Sequence, residues 1–305
     1  MKENTNKKQI ENHFWQKHRI IFFSIITACL VTSFIILYLN HSTINKSLKP
    51  EDLTISKDDE NTIITNPTKS IDAYTDNENL YIIAGKLKQT SHFTSVVKGN
   101  VTALGGVYTQ TVRNDKIKID NEFYIQTKST SSFVSVGKQT YIANENIVMR
   151  DATNVSKDAW SNNFKQCTAE EYKQTYGVLP NALSNYALND ETIIDATKTK
   201  NEDGTITFTF KIDTEKGTKG YRINMYKLGG LSSLPKFNAC TLKITVDANW
   251  QIKTIKSIDE YVINKGGLLS NLNCSSTLTE TFEYPNKATM QIPNKNLFTN
   301  VLNSH

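Results

Sequence analysis

Acid–base or nucleophilic chemistry in this chain would have to pass through one histidine. Of the five histidines, His13 and His18 precede a long apolar run, His41 follows it closely and His305 ends the chain. Only His92 falls within the strand-rich region. A Ser-His-Asp or Cys-His site needs a base beside its nucleophile. The setting Thr90-Ser91-His92-Phe93 reads as a loop before a first strand, where a solvated histidine is the ordinary case. Cys167, Cys240 and Cys274 are too widely separated to resemble closely spaced zinc ligands. No phosphate loop, EF-hand loop or zincin motif occurs. The expectation is a protein without catalysis, cofactor or metal.

Carboxylates escape this elimination, because paired acids have no fixed sequence spacing. Glu280 shares strand parity with Leu278, Phe282 and Tyr284 and so should point to an apolar side, where an unpaired charge is costly. A local bulge or an edge position is the bland account of it. Asp259 beside Tyr261 poses the same question. Phe123, Phe133, Phe208, Phe210 and Trp250 are the aromatic positions that either line a ligand cavity or fill a core.

The elements holding these residues follow from periodicity. Residues 70–89 suit a helix in their second half. Period-two segments then run at 94–103, 107–115, 116–129, 133–143 and 146–151, separated by polar turns. Short helices are expected at 156–160, at 168–172 behind a Thr168/Glu171 capping box, and at 181–188. A hairpin turning at Asp203-Gly204 has TITFTFKID (205–213) as its second strand, with Ile206, Phe208, Phe210 and Ile212 on one face. A helix over 220–228 and three strands at 240–247, 250–264 and 273–284 complete the chain. Alternation this regular predicts a sheet with one apolar and one wet face. In the three-strand return both Cys240 and Cys274 fall roughly opposite Ser257, about two strand spacings apart. That is beyond the reach of a disulfide, although a slip in register would leave a 240–274 bridge open.

Location is the strongest inference. Ile20 to Leu39 is an uncharged, apolar run of 20 residues, long enough at 1.5 Å per residue to cross a ~30 Å hydrocarbon core. Lys2, Lys7, Lys8, Lys17 and Arg19 precede it, so the N-terminus should stay cytoplasmic and the remainder face outward. Ile26-Thr27-Ala28-Cys29 also resembles a lipobox, with Cys29 as the acylated residue. Of the formal +5, the first 19 residues carry +3, which leaves +2 for the rest. That gives no basis for a nucleic-acid partner. The expected organisation is a cytoplasmic tail (1–19), a transmembrane anchor (20–39), a polar linker (40–69), an extracytoplasmic domain (70–293) and a C-terminal tail (294–305). The fold class is mainly β within α+β, a curved antiparallel meander or half-barrel with short inserted helices, behind one transmembrane helix.

This order of elements, with the segment YKLGGLSSLPKFNACTLKITVDANWQIKTIKSIDEY (226–261) and the anchored context, resembles the lipoprotein-carrier superfamily of LolA-like and LppX/LprG-like half-barrels. The resemblance covers about residues 70–293 and carries no catalytic motif to transfer. It implies an apolar concave face, lidded by helices, that holds acyl chains of lipids or lipoproteins. The expected function is a membrane-anchored carrier or sensor of a hydrophobic ligand on a bacterial cell membrane, with the bilayer, an apolar or lipid ligand and an envelope protein as partners. The alternative is an envelope scaffold whose β domain is fully packed.

Overall fold

The computed structural model describes residues 62–103, 106–131, 135–229, 231–264, 271–285 and 291–303. The apolar run 20–39, Cys29 and Phe133 lie outside these residues. Among the described residues, no helix is long and apolar enough to cross a membrane.

The described fold begins with a 3-10 turn at Ile71–Ala73 and helix α1 at Asp76–Gln89. Thr75 and Glu78 cap α1 reciprocally, satisfying two backbone donors at its N-terminus. Five strands follow, β1 (His92–Ala103), β2 (Gly106–Ile119), β3 (Glu122–Ser131), β4 (Ser135–Ala143) and β5 (Asn146–Asn154). Then come the short β6 (Ala159–Trp160) and β7 (Lys165–Thr168), helix α2 (Ala169–Tyr176), β8 (Ile193–Lys200), β9 (Ile206–Ile212) and helix α3 (Lys219–Gly229). The chain returns through β10 (Lys236–Val246), β11 (Ile252–Ile263) and β12 (Leu272–Glu283) and ends in helix α4 (Lys295–Leu302).

All twelve strands join one open, curved antiparallel sheet in the order β6-β5-β4-β3-β2-β1-β12-β11-β10-β9-β8, with β7 also on β5. The last strand therefore inserts beside the first, and Ser95 faces Phe282 while Val97 faces Glu280. The inner face carries the main core. Leu80, Ile82 and Ile83 of α1 and Tyr221 and Met225 of α3 pack there on Phe208, Phe210, Leu242 and Ile244. Cys240 stands opposite Asp259 and Cys274 opposite Tyr261, on the two flanks of β11, and both thiols are free.

Several expectations are corrected. The break expected between 107–115 and 116–129 falls later, because β2 runs through to Ile119 and turns at Asp120, whose φ is 53°. Residues 156–160 are not helical. Asn154 accepts from Lys157 N and Ser156 Oγ, the local bonding by which Asn competes with helix. Residues 181–188 form turns instead of a helix, with Ser184 Oγ accepting from Tyr186 N.

Nor is one face of the sheet wet throughout. On the outer side of β2–β5, Tyr124, Tyr141 and Val148 pack against fully buried Phe298 of α4, so Lys295–Leu302, within the expected tail, form a packed helix. A polar ladder edges this patch, in which Arg150 Nε donates to Gln139 Oε1 at 2.7 Å and Gln139 Nε2 to Gln126 Oε1 at 2.8 Å. The Arg150 guanidinium lies 5.5 Å from the Phe298 ring centre.

The middle helices are joined tightly. Gly177 ends α2 with φ of 81°, and a Cβ built there would stand 1.9 Å from the carbonyl oxygen of Gly220. Both the left-handed backbone and the close approach call for glycine. Gly177→Ala is expected to cost about 1–3 kcal/mol in chemical denaturation, and a neutral result would mean that α2 and α3 separate readily.

Candidate functional site

Among the described residues, three small cavities border the segment 177–187, which leads from α2 towards β8 without helix or strand, and two of them are floored by the inner face of the sheet. The largest, about 180 Å³, lies between this segment and α1, against Ala84, Leu87, Val178 and Leu179. The second, about 70 Å³, is floored by Val97, Leu242, Ile255 and Leu278. The third, also about 70 Å³, lies against Leu87, Phe93, Lys116, Thr140 and Phe282. Leu183 borders all three, and Glu280 borders the second and third. The segment is fixed at one end by Gly177 against Gly220 and at the other by the Tyr186 hydroxyl, which donates to Asp259 Oδ1.

Glu280 points inward, as its parity requires, without any bulge in its pairing to β1 or β11. Ser95 Oγ donates to its Oε1, Asn114 Nδ2 does so at 3.4 Å, and Thr127 Oγ1 donates to Asn114 Oδ1 at 3.0 Å. Burial pushes the carboxyl above its ordinary pKa against the pull of these donors. Asp259 is buried as well, with Ser276 Oγ donating at 3.3 Å in addition to Tyr186. Its pKa is pushed up to about 6, mainly by burial.

Two lysines, which sequence reasoning passed over, lie on the same inner face. Lys116 is 3% exposed, with Nζ 5.2 Å from the centre of the Phe93 ring and 5.1 Å from that of Phe123. Lys138 is 1% exposed, and its Nζ lies 3.8 Å from Asp151 Oδ1 and 5.5 Å from the Tyr176 ring centre. Desolvation brings each ammonium down to a pKa of about 7.

The aromatic candidates are dispersed. Phe208 and Phe210 stack on each other, ring centres 6.3 Å apart, fully buried in the main core and away from the three cavities. Phe123 sits between the amines of Lys116 and Lys118. Trp250 borders a separate cleft of about 260 Å³ with Lys86, Asp247 and Tyr284, and its Nε1 donates to Asn79 Oδ1 at 2.6 Å. His92 opens β1 and pairs through Nε2 with Asp115 at 2.9 Å, with no serine or cysteine bonded to it among the described residues. Nor do three His, Cys, Asp or Glu side chains gather as metal ligands among those residues.

The arrangement is an open antiparallel half-barrel whose inner face is covered by two helices and a linking segment. No family model matches the chain, and no curated protein does. Among solved structures it is similar to a DUF1329 family protein from Desulfovibrio piger, at 7% identity and TM-score 0.33, covering 75% of this chain and 100% of that one. It is also similar to a domain from Vibrio parahaemolyticus described as an outer membrane lipoprotein-sorting protein domain, at 9% identity and TM-score 0.30, covering 72% and 96%. A third, the ywiB protein from Bacillus subtilis, has 9% identity and TM-score 0.20, covering 64% and 93%. At these TM-scores none of the three bears on function.

Proposed function

We propose that this protein is a membrane-anchored, extracytoplasmic carrier or sensor, which holds an apolar ligand between the inner face of its sheet and the segment 177–187. The observation that carries this reading is the set of three cavities meeting at Leu183 under a segment without regular structure. Leu87, Val97, Ile255, Leu278 and Phe282 supply apolar wall, and each buried CH₂ of a ligand contributes about 0.8 kcal/mol. An acyl chain can therefore be held with little polar recognition. The outward placement is supported by the uncharged run 20–39 and the five cations before it.

The volumes favour one competing reading. Ligand pockets usually span ~300–1,000 Å³, whereas the cavity beside α1 is about 180 Å³ and the two on the sheet are about 70 Å³ each. A long chain would fit only if 178–185 moved outward, and a domain that keeps these residues in place is the packed envelope scaffold. Native mass spectrometry of the purified full-length chain, with uptake of a fluorescent fatty acid, separates the two. The carrier reading expects co-purified lipid or saturable uptake. It also expects Leu183→Trp, which would fill the junction, to reduce uptake about tenfold or more at a nearly unchanged melting temperature. Bare protein that takes up no probe would establish the scaffold reading in its place.

A further inference from the structure

Lys116 is the least compensated group bordering the three cavities. An ammonium offers three donors and is costly to bury unless it is paired. Here Nζ has one hydrogen-bond acceptor, Leu87 O at 3.3 Å, and two ring faces, with no carboxylate in ion-pair range among the described residues. Lys138 on the same face does have one, in Asp151. The aromatic faces recover only part of the hydration that Lys116 gives up. The cavity beside it is also bordered by Thr140, which is buried and makes no side-chain hydrogen bond among the described residues. A cation and a hydroxyl thus converge on one small space that has apolar wall from Leu87, Phe93, Ile125, Leu183 and Phe282 and is also bordered by Asn114, Thr127, Asn181 and Glu280. That space is the complement of an anionic oxygen group attached to something apolar.

We propose that the chamber takes an acyl chain ending in an anionic oxygen group, a carboxylate or a phosphate monoester, and that Lys116 holds this group while the chain runs beneath the segment 177–187. The proposal rests on the reading of the chamber as a ligand site. The charged groups around Lys116 give it a pH signature. Lys118 of β2 and Lys88 of α1 add to burial in discouraging its proton, and Glu280 of β12 borders the same cavity as a second acid. Anion binding returns charge to the lysine, so affinity for an acid should fall as pH rises through about 7. Affinity for a neutral analogue should not.

The test compares cis-parinaric acid with its methyl ester on the full-length protein between pH 6 and 8.5, by fluorescence titration. The acid should bind at least tenfold more tightly than the ester at pH 6, and the gap should narrow towards pH 8.5. Lys116→Met should lose the preference for the acid and its pH dependence, and it should melt no lower than the wild type, since it relieves a buried amine. Displacement by oleate and by oleoyl lysophosphatidic acid then distinguishes carboxylate from phosphate by which acts at the lower concentration. Because the acid–ester comparison is made within the wild type, it stands even where the variant fails to fold. Equal binding of acid and ester would overturn the role of Lys116 and leave the carrier intact, whereas no binding of either would remove the carrier reading and this inference together.

Discussion

Truncating Phe208 or Phe210 to alanine is expected to cost about 3–5 kcal/mol each, a large part of the ~5–15 kcal/mol that holds a domain together. Both side chains have no exposed surface. Phe208 stands across from Ile244 and Phe210 across from Leu242, and α1 and α3 close over the cluster to which they belong. Lining an open cavity, either ring could be removed at the cost of its lost contacts alone. In this core the vacated space has packed walls on every side, so the cavity penalty adds to the transfer term. For a domain of this size the loss corresponds to roughly 6–20 °C in melting temperature. Thermal and urea denaturation of the two single variants measure it. A loss below about 1 kcal/mol for both would show that β9 and β10 enclose free volume, contrary to their burial.

The same two residues show what was legible in the sequence. TITFTFKID alternates without a break, so the inward set Ile206, Phe208, Phe210 and Ile212 could be read directly, and the strand carries it as read. Local signals of this kind also located the Thr168/Glu171 capping box and the turn at Gly204, whose φ is 81°. What the alternation could not reveal was whether that face was cavity or core. That depends on α1 and α3, which reach it from more than a hundred residues upstream and from the next element downstream.

Non-local closure was equally hidden. Nothing in 272–283 says that this strand inserts beside β1, yet that pairing places Glu280 across from Val97 and its carboxyl against Ser95 and Asn114. Lys116 was missed for a related reason. In Lys116-Ile117-Lys118-Ile119 the isoleucines mark the buried parity of a sheet with one wet face, which assigns Lys116 to water. Instead α4 covers the isoleucine side while the inner face is also closed, so both parities are buried and the lysine is enclosed. The apolar spacing of Leu297, Phe298, Val301 and Leu302 was the available signal for α4.

Asp259 is expected to make the protein less stable as pH rises from about 4 to about 6, by roughly 3 kcal/mol for its shift of about two pKa units. Below that window the carboxyl is protonated both in the fold and in the unfolded chain, and it contributes no pH dependence. Through the window the unfolded chain ionises while the fold retains the proton, so the folded state binds more protons and stability declines. Above about 6 both forms are charged and the slope vanishes. Glu280 is raised too, while the exposed Asp72, Asp195 and Asp203 are lowered by their lysine or threonine partners and act in the opposite sense. The raw profile therefore mixes signs, and the quantity to measure is the difference between the wild type and Asp259→Asn. The amide keeps an oxygen for the Tyr186 hydroxyl and turns a donor to Ser276, so one hydrogen bond's worth, about 1 kcal/mol, is the most it should lose in acid. Relative to the wild type it should gain steadily from pH 4 to 6 and be the more stable protein at pH 7. Tyr186 closes one end of the segment over the cavities, so the same variant tests whether a charged anchor is needed to hold that segment down. Urea titrations at half-unit intervals of pH give the comparison, and parallel profiles for the two proteins would mean that Asp259 is ionised at ordinary pKa inside the fold, with solvent reaching it beneath Tyr186.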